Sequence, residues 1–369
     1  MHVLHVVGAR PNFMKAAPVL RAFAAYNEVR QTLVHTGQHY DANMSDVFFR
    51  ELQIPEPDVN LAVGSGSHTR QLAEVMIRFE PVVLEKKPDI VLVYGDVNST
   101  AACALVCAKM LTPVGHVEAG LRSGDRTMPE EINRLVTDQL ADLLFTPSED
   151  GNANLTREGI APHKIYLVGN VMIDTLIRLL PRAMERWGEL QRTLRLGDKK
   201  SEPIRYVLAT LHRPSNVDEP ESLRKIVHVL KEIAATAPVI FPVHPRTRQR
   251  LAQLQLAPLS DRLRLIDPLG YLDFLALQSQ ARLVITDSGG VQEETTYLRV
   301  PCLTVRENTE RPVTMSLGSN LLVGQNTERL RHEAIRILKE GGQRGAIPPL
   351  WDGRASERIA EVVLGWKGI

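Results

Sequence analysis

Several short segments of this chain concentrate residue types that move protons or hold anions. GARPNFMKAAP, from Gly8 to Pro18, sets Arg10 and Lys15 at the expected start of a helix. Cations are disfavoured there by the helix dipole, so two of them together point to an anionic ligand. GDVNST offers Asp96, readable as a proton-transfer group or as a turn residue, with Asn98, Ser99 and Thr100 available as helix caps. HVEAGLRSGDRTMPEEINR carries His116 and Glu118 two residues apart, then Glu130 and Glu131 behind Pro129. On a strand, His116 and Glu118 would share a face, yet no third ligand is spaced to complete a metal site. Carboxylates after an N-terminal proline also suit a helix start without any chemistry, and Arg122, Arg126 and Arg134 can be ordinary ion-pair partners. LHRPSN contributes His212 and Arg213, and VHPRT contributes His244. In ITDSGGVQEE, Ser288 can cap, Gly289 and Gly290 let backbone N–H groups approach a phosphate, and Glu294 lies a turn deeper, where a carboxylate can accept from a ribose diol. ENTERP adds Arg311. Together these groups describe a diphosphate cradle beside acids and bases able to transfer protons.

Nearly every one of these segments follows a short apolar, β-branched run. Strands are expected at His2–Val7, Gln31–His35, Asp89–Tyr94, Val114–Val117, Leu143–Thr146 and Lys164–Val168. A second series is expected at Tyr206–Thr210, Val239–Val243, Leu263–Ile266, Arg282–Thr286, Cys302–Val305 and Leu321–Val323. Helix-length amphipathic segments separate them, which is the pattern of parallel sheets covered on both faces. Ligands of such sheets sit outside the carboxyl ends of the strands, where the chemistry-bearing residues stand. The fold class is therefore α/β, with two Rossmann-like doubly wound domains. An N-terminal domain is expected over 1–170 and a C-terminal, nucleotide-binding domain over 171–353. A last helix within 354–369 is expected to return to the first domain, and the polar stretch Leu196–Pro203 reads as a connection.

The 369 residues suit two domains, and 44% hydrophobic content supplies ample core. A formal charge of +1 gives no steering toward nucleic acid or an anionic membrane, and no apolar run is long enough to span a bilayer. Cys103, Cys107 and Cys302 lie in apolar context and are expected to be reduced, in keeping with a cytoplasmic protein. Neither GxGxxG nor a Walker A motif occurs, against a bound dinucleotide or an NTPase.

GARPNFMKAAP, TGQHYDANMSDVFF, GDVNST, HVEAGLRSGD, PEEINR, TLHRPSN, PVHPRT, TDSGGVQEE and ENTERP, in this order along nearly the whole chain, resemble the non-hydrolysing UDP-N-acetylglucosamine 2-epimerase family. The resemblance implies a GT-B architecture with an interdomain cleft, a UDP-sugar substrate, no cofactor, no metal, and a homodimer. It implies epimerisation at sugar C2 by elimination of UDP to a bound 2-acetamidoglucal and re-addition with inverted configuration. Carried over residue by residue, Asp96, Glu118, Glu130 and His212 match the acid/base set, with no carboxylate assigned to a particular proton. Arg10, Lys15, Arg213 and Ser288, Gly289 and Gly290 match diphosphate contacts. Phe274 matches a uridine-site position, Glu294 the ribose carboxylate, and Arg311 a substrate-contacting arginine. Gln38, Arg213 and His244 match part of a site where some relatives bind a second UDP-sugar as activator, although the surroundings of Tyr40 and Asp41 differ. Many relatives have a glutamate where Ser215 stands in His212-Arg213-Pro214-Ser215-Asn216, and the loop between Arg122 and Pro129 is shorter than in some. Competing readings are a 2-epimerase of a UDP-2,3-diacetamido uronic acid, a GT-B glycosyltransferase, and a silent nucleotide-sugar sensor. A role in supplying cell-wall or surface-polysaccharide precursors is what the family implies.

Overall fold

The computed structural model describes residues 1–38, 51–196, 205–254 and 261–367, apart from the side chains of Arg10, Pro245 and Arg246. Tyr40 and Asp41, and most of the Leu196–Pro203 connection, lie outside the described residues. The chain divides into two compact units, residues 1–178 with 349–369, and residues 179–348; the division falls inside the helix Val171–Thr193.

The first unit contains β1 (His2–Val7), β2 (Arg30–His35), β3 (Val59–Asn60), β4 (Ile90–Tyr94), β5 (Val114–Val117), β6 (Leu143–Thr146) and β7 (Ile165–Leu167). They form one sheet in the order β3-β2-β1-β4-β5-β6-β7, every pair parallel. Strands β1 and β4 are buried at every position, so they read as unbroken apolar runs rather than alternating ones. The C-terminal segment belongs to this unit. Asp174 accepts from the N–H groups of Ala355 (3.2 Å) and Ser356 (2.7 Å), capping the helix Ala355–Gly365, and Trp351 Nε1 donates to the Pro147 carbonyl at 2.9 Å.

The second unit contains β8 (Val207–Thr210), β9 (Val239–Pro242), β10 (Leu263–Ile266), β11 (Leu283–Thr286), β12 (Cys302–Thr304) and β13 (Asn320–Leu322). Their order is β10-β9-β8-β11-β12-β13, again all parallel. The two faces of this sheet sort by the strand's period of two: Val207, Val239, Phe241, Leu283 and Ile285 enter one core, and Leu208, Ile240 and Val284 the other. In both sheets the strand order reverses near the middle, between β1 and β4 and between β8 and β11. These are the switch points where the loops diverge and a ligand crevice opens.

Candidate active site

At the switch point of the first unit, Gly8 follows β1 where an added Cβ would come within 2.6 Å of Thr36 Oγ1. The N–H groups of Gly8 and Ala9 donate to Asn12 Oδ1 (3.0 and 3.1 Å), and Asn12 Nδ2 donates across to the Tyr94 carbonyl at 2.7 Å. Asn12 therefore ties the β1 and β4 turns together. Arg10 opens the helix Arg10–Phe23, its side chain lying outside the described part. Lys15 is not at the helix start as expected from the sequence. It sits in the second turn, buried, with Nζ paired to Glu118 Oε2.

Glu118 follows the last residue of β5 with φ +75°, the left-handed region, in a residue that has a Cβ. Such a conformation costs on the order of 1–3 kcal/mol and persists only where its surroundings enforce it. Strand alternation thus ends at Val117, and the shared-face argument for His116 and Glu118 does not apply. His116 Nδ1 lies 2.6 Å from Asp138 Oδ1 and Nε2 lies 2.8 Å from the Gly95 carbonyl. Gly95, at φ +62°, leaves the space where a Cβ would come within 2.5 Å of Lys15 Nζ. Among the described residues no group of three His, Cys, Asp or Glu is arranged to hold a metal ion.

The helix Pro129–Leu140 places its acids differently from one another. Glu130 is exposed. Glu131 is buried and accepts from Ser123 N–H (3.0 Å), Gly124 N–H (2.9 Å) and Arg134 Nη2 (2.6 Å). Burial acts to raise its carboxyl, but these donors outweigh it and hold it low. Arg134 also reaches Asp96, which is half-buried after β4. Asp96, Glu130, Asn98, Asn133, His68 and Gln38 border a cavity of about 280 Å³. Gln38 Oε1 accepts from the N–H (3.1 Å) and Oγ–H (2.8 Å) of Ser99. Asn98, Ser99 and Thr100 do not cap the helix Asn98–Lys109 through side chains, because its N-cap is Val97; Thr100 Oγ1 instead donates to the Tyr94 carbonyl.

In the second unit, His212 and Arg213 lie just beyond β8, and Asp287 follows the last residue of β11, directly across the switch point. Asp287 is fully buried. It accepts from the backbone N–H groups of His212 (3.1 Å) and Arg213 (3.0 Å) and from Asn216 Nδ2 (2.9 Å), and it lies 2.8 Å from His212 Nδ1. Burial would raise its carboxyl, yet the His212 and Asn216 hydrogen bonds keep it below the usual carboxylate range. A carboxylate on Nδ1 fixes the proton there and leaves Nε2 of the exposed ring as the acceptor. Arg213 Nε donates to the Asp287 carbonyl at 3.3 Å. His244 is exposed just beyond β9.

Helix Gly289–Leu298 starts at Ser288, Gly289 and Gly290, all partly exposed; Ser288 N–H donates to Thr286 Oγ1 at 3.0 Å, which leaves Gly289 and Gly290 to present the N–H groups of the first turn. Ser288 is the N-cap by position, but its side chain makes no capping bond. Gly289 has a further reason: an added Cβ would come within 2.9 Å of Arg311 Cζ. Arg311 is buried between Glu293 (2.9 Å) and Glu310. Glu294 is buried and accepts from Tyr271 Oη at 2.8 Å. Tyr271 and the half-buried Phe274, three residues on, share a face of the helix Tyr271–Gln280. Asp287, Asn12 and Tyr271 are site residues that sequence reasoning passed over. Only Asp287, terminating the apolar run before Ser288, left a visible signal.

Burial raises the Glu294 carboxyl to about 7, with the nearby Glu293 charge adding to the effect. A group raised on folding contributes most below its unfolded value and loses that contribution as pH climbs through the folded one. Glu294 thus weighs against folding increasingly from about pH 5 to about pH 8. Glu294→Gln is expected to gain in Tm over the parent across that interval, as read by thermal melts. A difference that stays flat would remove burial as the controlling effect.

The family model described as UDP-N-acetylglucosamine 2-epimerase matches residues 21–364. UDP-N-acetylglucosamine 2-epimerase of Methanocaldococcus jannaschii is 43% identical over 365 residues, covering 97% of each chain. A UDP-2,3-diacetamido-2,3-dideoxy-D-glucuronate 2-epimerase of Pseudomonas aeruginosa is 41% identical, covering 98% of this chain and 99% of its own. The crystal structure of the M. jannaschii enzyme in complex with UDP-GlcNAc and UDP superposes with a TM-score of 0.88 at 42% identity, over 99% of both chains. The two parallel-sheet units of this chain match that GT-B-like fold: the alternation of strands and helices predicts the doubly wound sheets, and the family resemblance implies the GT-B architecture. By sequence and fold over almost its full length, the chain belongs to the UDP-N-acetylglucosamine 2-epimerase family.

Proposed function

We propose that this protein interconverts UDP-N-acetylglucosamine and UDP-N-acetylmannosamine by eliminating UDP to a bound 2-acetamidoglucal and adding it back with C2 inverted. The observation that carries the reading is Glu118, held in a left-handed conformation and paired with Lys15. The C2 hydrogen is not adjacent to a carbonyl, so its removal needs a positioned base and a stabilised leaving group. Asp96, Glu118, Glu130 and His212 form the acid/base set. The Ser288 hydroxyl and the N–H groups of Gly289 and Gly290, with Arg10 and Arg213, receive the diphosphate, and Lys15 and Arg311 exchange their present carboxylate partners for substrate. Glu294 accepts the ribose hydroxyls and Phe274 faces the uracil. Burial of Cys103, Cys107 and Cys302 as free thiols suits a reducing cytoplasm, and a homodimer is the assembly this reading takes.

The test is incubation with UDP-N-acetylglucosamine alone in deuterated water. Deuterium at C2 together with manno product is the expected result. Absence of exchange without an added acceptor would point to a glycosyltransferase, and release of free N-acetylmannosamine with UDP to a hydrolysing enzyme. The P. aeruginosa relative favours a second reading, in which the sugar is a UDP-2,3-diacetamido uronic acid. The same incubation with that sugar, compared by kcat/KM, decides between them.

A further inference from the structure

Asp138 is a fully buried carboxylate outside the acid/base set, and its contacts converge on Glu118 from both sides. Its Oδ2 accepts from the Gly120 N–H at 3.1 Å, two residues after Glu118, while Oδ1 lies 2.6 Å from His116 Nδ1, two residues before it. The other edge of the His116 ring reaches the Gly95 carbonyl at 2.8 Å, in the β4 turn that leads into Asp96. Both ring nitrogens face oxygen atoms, so the ring bridges the Asp138 carboxylate to the Gly95 carbonyl. Gly95 in turn receives the Lys15–Glu118 pair in the space its missing side chain leaves. Arg122 completes the cluster, with Nη1 2.7 Å from Asp138 Oδ2 and Nη2 held by Glu158 Oε2 at 2.6 Å. Other bonds also hold this turn: the Phe145 carbonyl accepts from Glu118 N–H (3.1 Å) and Ala119 N–H (3.0 Å), Asn154 Nδ2 donates to the Gly120 carbonyl (2.9 Å), and Gly95 N–H donates to the Val117 carbonyl (2.9 Å). These fix the backbone, while the Gly95 carbonyl is held by the His116 ring.

We propose that Asp138, acting through His116, is a positioning residue that holds the left-handed Glu118 turn and the Gly95 turn in one arrangement, and so aims the Glu118 carboxylate. The proposal deepens the reading of Glu118 as an acid/base group and rests on it for its kinetic part. A displacement of about 1 Å in a reacting group costs on the order of a hundredfold in rate, so loosening this clamp is felt in kcat rather than in binding.

The experiment compares Asp138→Asn with Glu158→Gln, which weakens the same ion cluster at its outer end without touching His116 or Gly120. Two readouts are taken: kcat and KM for C2 exchange, and the side-chain ¹³C signal of Glu118 in the ligand-free protein. The expected result is a kcat about tenfold to a hundredfold lower in Asp138→Asn with KM within about twofold, and a displaced Glu118 signal. Glu158→Gln is expected to keep both. Should Asp138→Asn fail to fold, His116→Gln removes the ring that joins Asp138 to Gly95 while leaving the Asp138–Gly120 bond in place, and is expected to reproduce the kcat loss and the shift. A folded Asp138→Asn or His116→Gln with unchanged kcat and an unmoved Glu118 signal overturns the proposal, as does an equal response in Glu158→Gln. If the parent shows no exchange with either UDP-sugar while the Glu118 signal still moves, the functional reading fails and the positioning role stands.

Discussion

Glu118→Gln is expected to lower the kcat of C2 exchange by about 10²–10⁴-fold, while the affinity for UDP measured by calorimetry stays within about twofold. Glutamine keeps the volume of the side chain and its reach toward Lys15, but it cannot take up a proton near neutral pH. The difficulty lies in the pairing. Lys15 and Glu118 form a buried ion pair, and neutralising one partner leaves a buried, uncompensated ammonium. Breaking such a pair costs about 3–5 kcal/mol, enough to depress activity simply by unfolding the protein. Lys15→Met combined with Glu118→Gln removes both charges and is expected to recover most of that stability. Turnover separates the two explanations. Lys15→Met alone reports what losing the lysine's own contact to the diphosphate costs; if Glu118 transfers a proton, the double variant is stable and far less active than that single variant. Recovery of exchange along with stability would reduce Glu118 to a structural partner of Lys15.

Strands were legible in the sequence because parallel, doubly covered strands are written as unbroken apolar runs. IVLVY and LVIT need no alternation to be recognised. The two-residue strand Val59–Asn60 leaves no such run, so it was missed. Site residues at strand ends were legible for the same reason, since an abrupt Asp, Glu or His after an apolar run stands out. Partnerships were not. Lys15 and Glu118 lie 103 positions apart, and His212 and Asp287 lie 75 apart, so spacing could not join them. Local rules also misjudged Ser288 and Ser99, whose types suit a cap but whose side chains do not cap. In Pro129-Glu130-Glu131, type and dipole treat the two acids alike, whereas the helix turns Glu131 inward to Arg134 and leaves Glu130 exposed. The glycine at 289 was read as room for a ligand, and that room is bordered by the Arg311 guanidinium.

Asp287→Asn is the second change expected to act strongly, with a kcat about 10²–10⁴-fold lower. Asp287 accepts from every donor around it, so it is an acceptor-only group and His212 must carry its proton on Nδ1. Asparagine offers one acceptor oxygen and one amino group. With the oxygen taken by the backbone N–H groups of His212 and Arg213, the amino group faces Nδ1 and donates to it. The ring proton then moves to Nε2, the atom that must accept in proton transfer. Loss of hydrogen bonds to a buried charge also costs about 1.5–3 kcal/mol each, so Tm falls as well. Stability alone cannot carry the kinetic effect if Asp287 works through His212. In that case Asp287→Asn placed on a His212→Asn background lowers kcat little further, because the oriented group is already gone. A double variant whose losses multiply would assign Asp287 a separate role, such as shaping the Ser288–Gly290 turn that follows it.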